Sequence, residues 1–394
     1  MRRPDPALVV VLAGVSAALH VGKLPPALPG LRDALGVSLV QAGFLLSLVQ
    51  LAGMGLGLAV GLAADGLGLR RCMLAGLLLL AAASGLGGLA TDVNALLVLR
   101  AVEGMGFLLA SMPAPSLIRR LVPPQRVNAM LGFWGAYMPL GTAAALLCGP
   151  WVLSWVGWPG WWWSLGLLSL AMAAWLAWAV PPDGDGRMTG HADRWPQRLH
   201  QTLTARGPWL VALTFAMYSG QWLAVVGFLP SIYAQAGLSG AITGALTALA
   251  AAVNIVGNLA SGYWLERGVP APRLLYGGFL VMGLGALGAF LPVDGMTPSL
   301  RYLCVLMFSM VGGVIPGTLF SLAVRLAPGE RTVSTTVGWM QQWSAAGQFA
   351  GPPLVAWVAG WTGGWGWTWC VTGACSLVGV LLASRVARLL APSR

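Results

Sequence analysis

Long apolar runs alternate with short polar segments along almost the whole chain. Six runs precede a polar stretch at 181–206 and six follow it. Each run has about 20 residues, the length at which a helix crosses the hydrocarbon core of a bilayer. The runs lie at about 7–28, 40–62, 72–90, 95–117, 128–152, 161–180, 207–230, 241–264, 274–292, 300–323, 333–358 and 366–386. The pattern predicts an all-α membrane protein with twelve transmembrane helices.

The polar stretch divides the runs into two equal sets. We therefore predict an N-terminal six-helix bundle at 1–180, a cytoplasmic central linker at 181–206 and a C-terminal six-helix bundle at 207–394. The composition agrees, because 57% of the residues are hydrophobic and 8% are charged. Soluble domains carry about 25% charged residues, so a soluble globular protein is excluded.

Basic residues outnumber acidic ones, 22 to 11, which gives a net charge of +11. In a soluble protein this excess would suggest nucleic acid as a partner. Here it follows the rule that Lys and Arg collect in cytoplasmic loops. With the N-terminus inside, only Lys23, Arg32, Arg100 and Arg301 fall outside the cytoplasmic segments. We expect both termini to be cytoplasmic, the lipid bilayer as a partner and no nucleic acid.

Two clusters of tryptophan follow the same topology. One, at 155–163, lies between the fifth and sixth runs, and the other, at 361–369, lies between the last two. Amphipathic indole rings favour the membrane–water interface. We therefore expect both clusters at the outer interface.

Signatures of cofactor or catalytic chemistry are missing from the sequence. The five cysteines are scattered and form no C-x-x-C pair, which predicts neither a disulfide framework nor a metal site. A G-x-G-x-x-G string at 283–288 lies inside an apolar run with no strand before it, so it does not indicate a dinucleotide site. With no nucleophile–base signature and no Walker A sequence, we predict no enzyme activity, no cofactor and no ATP-driven transport.

The two halves repeat each other. The segment 21–25 aligns with 226–230, and 120–126 aligns with 325–331, both at an offset of 205. Between these matches, Gly61 and Asp65 align with Gly262 and Glu266 at an offset of 201. Several matches in order at a nearly constant offset indicate duplication of a six-helix unit. Two such units in the same orientation form the parallel-repeat architecture of a large class of transporters.

The loop after the second run carries a recognisable motif at 61–71. It resembles the signature loop of the major facilitator superfamily, roughly G-x-L-x-D-R-x-G-R-R, although Gly66 and Leu69 replace basic residues of that pattern. The resemblance implies the fold of that superfamily, with twelve helices as two parallel repeats that rock about a central site. It also implies that this loop and its repeat copy act as a conformational latch. The residues that carry this role are Gly61, Asp65, Gly68, Arg70, Arg71, Glu266 and Arg267.

The fourth run contains a second motif of this kind. Arg100-Ala101-Val102-Glu103-Gly104-Met105-Gly106 resembles the R-x-x-x-G-x-G motif of the same superfamily. Arg100 and Glu103 share one helix face and can pair, and charges inside a span usually face a cavity or a partner. We predict that the pair acts in coupling to an ion. The alternative is an Arg100 side chain that extends to the outer interface, with Glu103 as its structural partner.

The first run carries His20 and Lys23 on one face, and Lys23 is the only lysine of the protein. The prolines at 25, 26 and 29 should interrupt this helix. Because Glu103 can satisfy Arg100, Lys23 is expected to lack a local acid and to bind an anionic substrate. The alternative is a Lys23 side chain that extends outward to the interface.

Other polar side chains in the apolar runs complete the predicted substrate site. Taken singly, each is explained by a hydrogen bond between helices, and together they could line a translocation path. Gln221 leads, because its helix is the repeat partner of the first. The set is Gln221, Tyr137, Asn254 and Gln341.

The sequence thus favours a secondary active transporter. We expect a small anionic solute, alternating access and coupling to a proton gradient, in a monomer of a bacterial cytoplasmic (inner) membrane. One alternative is a proton-coupled efflux antiporter for drugs or metabolites, which the aromatic content and Glu103 would suit. The other is a membrane scaffold or sensor without transport, which would not need buried charge.

Overall fold

A computed structural model describes residues 5–123, 126, 130, 133–183, 195–292, 295–329 and 332–391, without the side chains of 61–67, 195 and 334. The regular structure of this part is helical throughout. In the first half of the chain, the helices are α1 (Pro6–Gly22), α2 (Leu24–Leu35), α3 (Leu39–Ser47), α4 (Leu51–Leu67), α5 (Leu69–Gly87), α6 (Val93–Ser111), α7 (Ala114–Leu121) and α8 (Tyr137–Ala179).

The second half begins with a short helix inside the predicted linker. Its helices are α9 (Trp195–Thr204), α10 (Arg206–Gln235), α11 (Gly240–Ala252), α12 (Asn254–Glu266), α13 (Ala271–Phe290), α14 (Pro298–Gly312), α15 (Val314–Leu326), α16 (Val333–Thr362) and α17 (Thr368–Leu390). Short 3₁₀ turns at Leu48–Gln50 and Trp365–Trp367 join neighbouring helices.

The described chain forms two compact units. The first holds residues of 1–192 and 229–248, and the second those of 193–228 and 249–394. In the first unit, α1 packs along α8, and α5 packs against α6 and α8. In the second, α13 packs against α14 and α17, and α12 against α15.

Ten helical segments of the described residues are long and apolar enough to cross a membrane. One of them, α8, has 43 residues and would extend about 65 Å if straight, twice the thickness of a hydrocarbon core. It bends at Gly157, whose φ of 66° and ψ of −177° are not helical. The bend leaves about 20 residues on each side, one membrane crossing each. The second crossing of α8 adds one span to the ten. A further helix, α16, is not among the ten, but its 30 residues are long enough to cross a membrane even though they carry several glutamines. The described helices are therefore consistent with twelve spans.

The first helix breaks at Lys23, between α1 and α2. The break lies just before Pro25 and Pro26, which confirms the expectation that the prolines interrupt the first helix. Pro25 and Pro26 lie in the first turn of α2, where a backbone N–H has no acceptor within the helix, so a proline costs nothing there. Pro29 lies inside α2.

The sequence predicted that the tryptophan cluster at 155–163 lies at the outer interface, but only part of it is exposed. Trp155 is 75% exposed, whereas Trp161 is 4% exposed and Trp162 is fully buried. The bend at Gly157 separates Trp155 from these two. Trp161 and Trp162 instead pack into the core of the first unit.

Candidate functional site

Four ionisable side chains are buried together in the first unit. His20 and Lys23 come from the end of α1, and Arg100 and Glu103 come from α6. Their exposed fractions are 0% for the three basic residues and 1% for Glu103. We call these four residues the buried charge cluster. Burial of this kind is costly unless the charges are paired, which makes the partners of each charge the central question.

Glu103 joins the other three. Its Oε1 forms an ion pair with Lys23 Nζ and lies 3.8 Å from His20 Nδ1. Its Oε2 accepts a hydrogen bond of 2.6 Å from Arg100 Nη1. The expectation that Lys23 lacks an acid was therefore wrong, because packing of α1 on α6 brings Glu103 to it across 80 residues of sequence. Full burial also rules out the outward-extended alternatives for Lys23 and Arg100.

Neutral groups complete the surroundings of Lys23. Its ammonium donates a 2.9 Å hydrogen bond to Ser84 Oγ, which in turn donates to the Trp162 carbonyl at 2.8 Å. The same ammonium lies 4.5 Å from the centroid of the Trp162 ring, a cation–π geometry. Trp161 Nε1 donates to the Lys23 carbonyl at 3.0 Å. The second part of α8 thus covers the lysine on two sides.

Backbone carbonyls beside the helix break and in α3 accept hydrogen bonds from Arg100. Arg100 Nη1 donates to the carbonyl of His20 at 2.8 Å, and its Nε donates to the carbonyl of Leu45 at 3.0 Å. The His20 ring is held from α8, where Ser169 Oγ lies 2.7 Å from Nε2. The guanidinium therefore connects α6 with α1 and α3, and the ion pairs rest on a framework of fixed dipoles.

The second unit contains a polar network without charge. The Asn254 amide donates to Tyr218 Oη at 2.9 Å and to the Ser309 carbonyl at 2.8 Å, and Trp222 Nε1 donates to Ser309 Oγ at 3.0 Å. Gln221 accepts a separate bond of 3.1 Å from Ser376 Oγ. These bonds join α10 to α12, α14 and α17.

The two remaining residues of the predicted substrate site lie elsewhere. Tyr137 begins α8 and stacks on Trp134, with ring centroids 4.2 Å apart. Gln341 is half-buried in α16. Of the six predicted substrate residues, the described geometry brings only His20 and Lys23 into direct contact with the predicted coupling pair.

The repeat alignment shows which residue of the second unit corresponds to Lys23 of the buried charge cluster. At the offset of 205, Phe228 takes the place of Lys23. Phe228 is 1% exposed, and its ring packs 4.9 Å from the ring of Trp365. A buried charge in one repeat therefore corresponds to a buried aromatic ring in the other.

Gly68 lies within the signature loop, between α4 and α5, and must be glycine for two reasons. Its φ of +93° disfavours any side chain, and a Cβ would lie 2.6 Å from Asp183 Oδ2. The Asp183 carboxylate accepts from the backbone N–H groups of Arg70 at 3.1 Å and Arg71 at 2.9 Å. It thereby caps the start of α5, which Gly68 cannot do itself. The surroundings of Gly61 and the side chain of Asp65 lie outside what the structure describes, so their latch role stays a prediction.

The repeat copy of this loop has the same backbone turn and different contacts. Gly268 has a φ of +82°, like Gly68 in the first copy. Glu266 and Arg267 are exposed, and the Arg267 guanidinium lies over the Tyr263 ring at 4.1 Å.

Sequence reasoning missed the residues that hold the charges in place. Ser84, Ser169 and Trp162 carry no formal charge and stand in apolar runs, so no local signal separates them from ordinary packing residues. Asp183 was assigned to the polar linker, although it follows α8 closely and its carboxylate caps the start of α5. Only the tryptophan cluster marked this region as unusual.

Comparison with known proteins places these features in a family. The model of the Major Facilitator Superfamily matches residues 7–352. The cyanate transport protein CynX of Escherichia coli (strain K12) is 25% identical over 246 residues, which cover 61% of this chain and 62% of that protein. The match thus spans less than two thirds of the relative's length.

Solved structures agree on the fold. A bacterial homologue of the human lysosomal transporter Spinster, in an inward-facing and occupied conformation, superposes with a TM-score of 0.82 at 14% identity, covering 98% of both chains. A D-xylose–proton symporter superposes with a TM-score of 0.74 at 19% identity, covering 96% of both chains. The family model matches residues 7–352, which is most of this chain, and this multi-pass membrane chain therefore belongs to the Major Facilitator Superfamily.

Proposed function

We propose that this transporter moves a small anion across the membrane by alternating access, coupled to protons. The observation that carries the proposal is the buried charge cluster, in which the basic side chains of Lys23 and Arg100 share the one carboxylate of Glu103. Ionisable groups inside a membrane span are costly and typically mark a transport pathway or a proton relay. An excess of positive charge at such a place favours a negatively charged solute.

Each member of the cluster has a distinct proposed role. Lys23 and His20 attract the substrate, and Arg100 and Glu103 couple its movement to a proton, since Glu103 is the carboxylate that can take one up. Gln221, Asn254, Tyr137 and Gln341 are proposed to supply neutral hydrogen bonds along the path. The loops that contain Asp65 and Glu266 are proposed to act as latches between conformations.

Two relatives support the solute and the coupling. CynX is described as a cyanate transport protein, and cyanate is a small anion. The xylose transporter is described as a proton symporter. The similarity to CynX supports cyanate as the anion, and the shared fold with a proton symporter supports proton coupling as part of this proposal.

Uptake by the purified protein in proteoliposomes tests the proposal. Radiolabelled cyanate should accumulate above the level of protein-free liposomes, and an imposed pH gradient should change its rate. Lys23→Gln should abolish uptake, because it removes the buried ammonium. Arg301→Gln is the matched control, since Arg301 donates to the carbonyls of Ala289 and Leu291 at a helix end of the second unit. Absence of uptake by the wild type, or full uptake by Lys23→Gln, would refute the proposal.

Glu103→Gln separates substrate binding from coupling. It removes the carboxylate and preserves the shape of the side chain. Transport in this variant should lose its dependence on the pH gradient while exchange of anion across the membrane continues. A Glu103→Gln variant that is still driven by the gradient would show that the proton binds elsewhere.

A further inference from the structure

We propose that the buried charge cluster binds one monovalent anion at the free side of the Arg100 guanidinium, and that Glu103 restricts the site to a single negative charge. The inference deepens the proposed function and rests on it. It names the protein atom that the anion contacts, Arg100 Nη2, and it gives the substrate a single negative charge.

The first argument is an unused donor. Arg100 Nε and Nη1 are fully engaged with Leu45, His20 and Glu103, whereas Nη2 is buried and has no hydrogen-bond partner among the described residues. A buried guanidinium N–H group that remains unpaired is costly, and nearly all such groups in proteins find an acceptor. An arriving anion provides the acceptor.

The second argument is a second unpaired atom in contact with the same carboxylate. His20 Nδ1 is also buried without a hydrogen-bond partner and lies 3.8 Å from Glu103 Oε1. When the Ser169 hydroxyl donates to Nε2, the neutral ring carries its proton on Nδ1 and becomes a donor. Arg100 then offers the two N–H groups of Nη2 and His20 offers the one on Nδ1, and both side chains lie against Glu103.

The third argument is the charge balance. With a neutral His20, Lys23 and Arg100 contribute two positive charges, and Glu103 contributes one negative charge. The ion pairs among the described residues connect these two cations to Glu103 only. One positive charge therefore remains uncompensated in a region from which water is excluded, which is unfavourable. A monovalent anion neutralises it, and a divalent anion would leave a net negative charge.

A purely structural role for the cluster makes the opposite prediction for Glu103. If its carboxylate only ties α1 to α6, removing the charge should weaken every property of the site. If it acts as a resident counter-ion, removing the charge should strengthen anion binding. The sign of the effect distinguishes the two.

Calorimetric titration of the purified full-length protein with nitrate and with sulfate, at equal ionic strength and neutral pH, tests the inference. The wild type should bind nitrate about tenfold more tightly than sulfate. Glu103→Gln should raise the affinity for both anions and remove most of the preference for nitrate. Lys23→Gln should lose nitrate binding, and the double variant Lys23→Gln/Glu103→Gln, which restores a single excess charge, should regain it.

Several outcomes would overturn the inference. They are equal or tighter binding of sulfate by the wild type, weaker nitrate binding in Glu103→Gln, and no recovery in the double variant. Should a variant fail to fold, the wild-type ratio and Lys23→Arg, which keeps the charge and should keep that ratio, still decide. If the wild type binds no anion and takes up no cyanate, the proposed function fails as well. If it transports cyanate but shows no valence preference, only this inference fails.

Discussion

Trp162 shows how a neutral side chain can make a buried lysine tolerable. Its ring faces the Lys23 ammonium, and its carbonyl accepts from the serine that Lys23 contacts. The cation thus meets a carboxylate, a hydroxyl and an aromatic face, which replace the water it has lost. Removing the aromatic face should raise the free energy of the buried charge, because an aliphatic side chain offers no negative electrostatic potential.

Replacement of Trp162 therefore provides a test at the level of one residue. Trp162→Leu should lower the free energy of unfolding of the purified protein by about 3 kcal/mol or more, because it removes buried volume and the cation–π contact. Trp162→Phe keeps an aromatic face and should lose less. The unfolding temperature in detergent is the measurement. Trp361→Leu is the control, since Trp361 is 80% exposed. Equal losses in the two leucine variants would contradict this role of Trp162.

At the scale of helices, one end of the first unit depends on a single residue, Asp183, that is distant in sequence from the helix it stabilises. Asp183 caps α5 from 112 residues away, and Arg120 of α7 lies 3.8 Å from the same carboxylate. The Arg70 guanidinium donates to the Ala177 carbonyl near the end of α8. One carboxylate therefore connects three helices on the side predicted to be cytoplasmic.

Removal of this carboxylate should weaken the start of α5. Asp183→Ala leaves two backbone N–H groups without an acceptor and should cost about 1 kcal/mol. Asp183→Asn keeps one oxygen and should cost less. Chemical or thermal unfolding in detergent measures both, with Asp33→Ala as control because Asp33 is exposed. A stability of Asp183→Ala equal to that of the control would exclude the cap.

The bend of α8 requires glycine at position 157 because of the backbone conformation there, and not because a side chain would lack space. A Cβ there would meet only Pro159, at 3.6 Å, but the combination of φ and ψ is one that only glycine adopts readily. Gly157→Ala should destabilise the protein by about 1–3 kcal/mol. Gly85→Ala should be nearly neutral, because Gly85 lies in α5 with open space around its Cβ position. The difference in unfolding temperature between these two variants checks the prediction, and no difference would argue against a strained bend.

At the scale of the whole molecule, the distribution of basic residues predicts which side of the membrane each loop faces. A cysteine at the exposed Trp155 should react with a membrane-impermeant maleimide in intact cells, and a reporter fused after Arg394 should be cytoplasmic. A cysteine at Trp161, 4% exposed, should react poorly from either side. Labelling of the Trp155 cysteine only after permeabilisation would reverse the topology.

The two halves of the molecule share glycine turns in their backbone but differ in their buried polar side chains. The buried charge cluster in the first unit has an aromatic ring at the position of Lys23 in the second, and the polar network around Asn254 is neutral. A backbone can be duplicated with its glycine turns, such as Gly68 and Gly268. The charges need only be present once for a site to form.

The sequence by itself determined the all-α membrane fold and the family, and it predicts the number and direction of the spans and the two repeats. These features depend on local composition: a run of about 20 apolar residues crosses a bilayer wherever it occurs. It also paired Arg100 with Glu103, because residues three apart on a helix share a face. The tertiary structure decided the rest. Lys23 meets Glu103 across 80 residues, and Arg71 meets Asp183 across 112. The physical reason is that a helix apolar on all sides has no polar face to show which side packs inward. Which polar side chains meet is therefore fixed only when the helices pack.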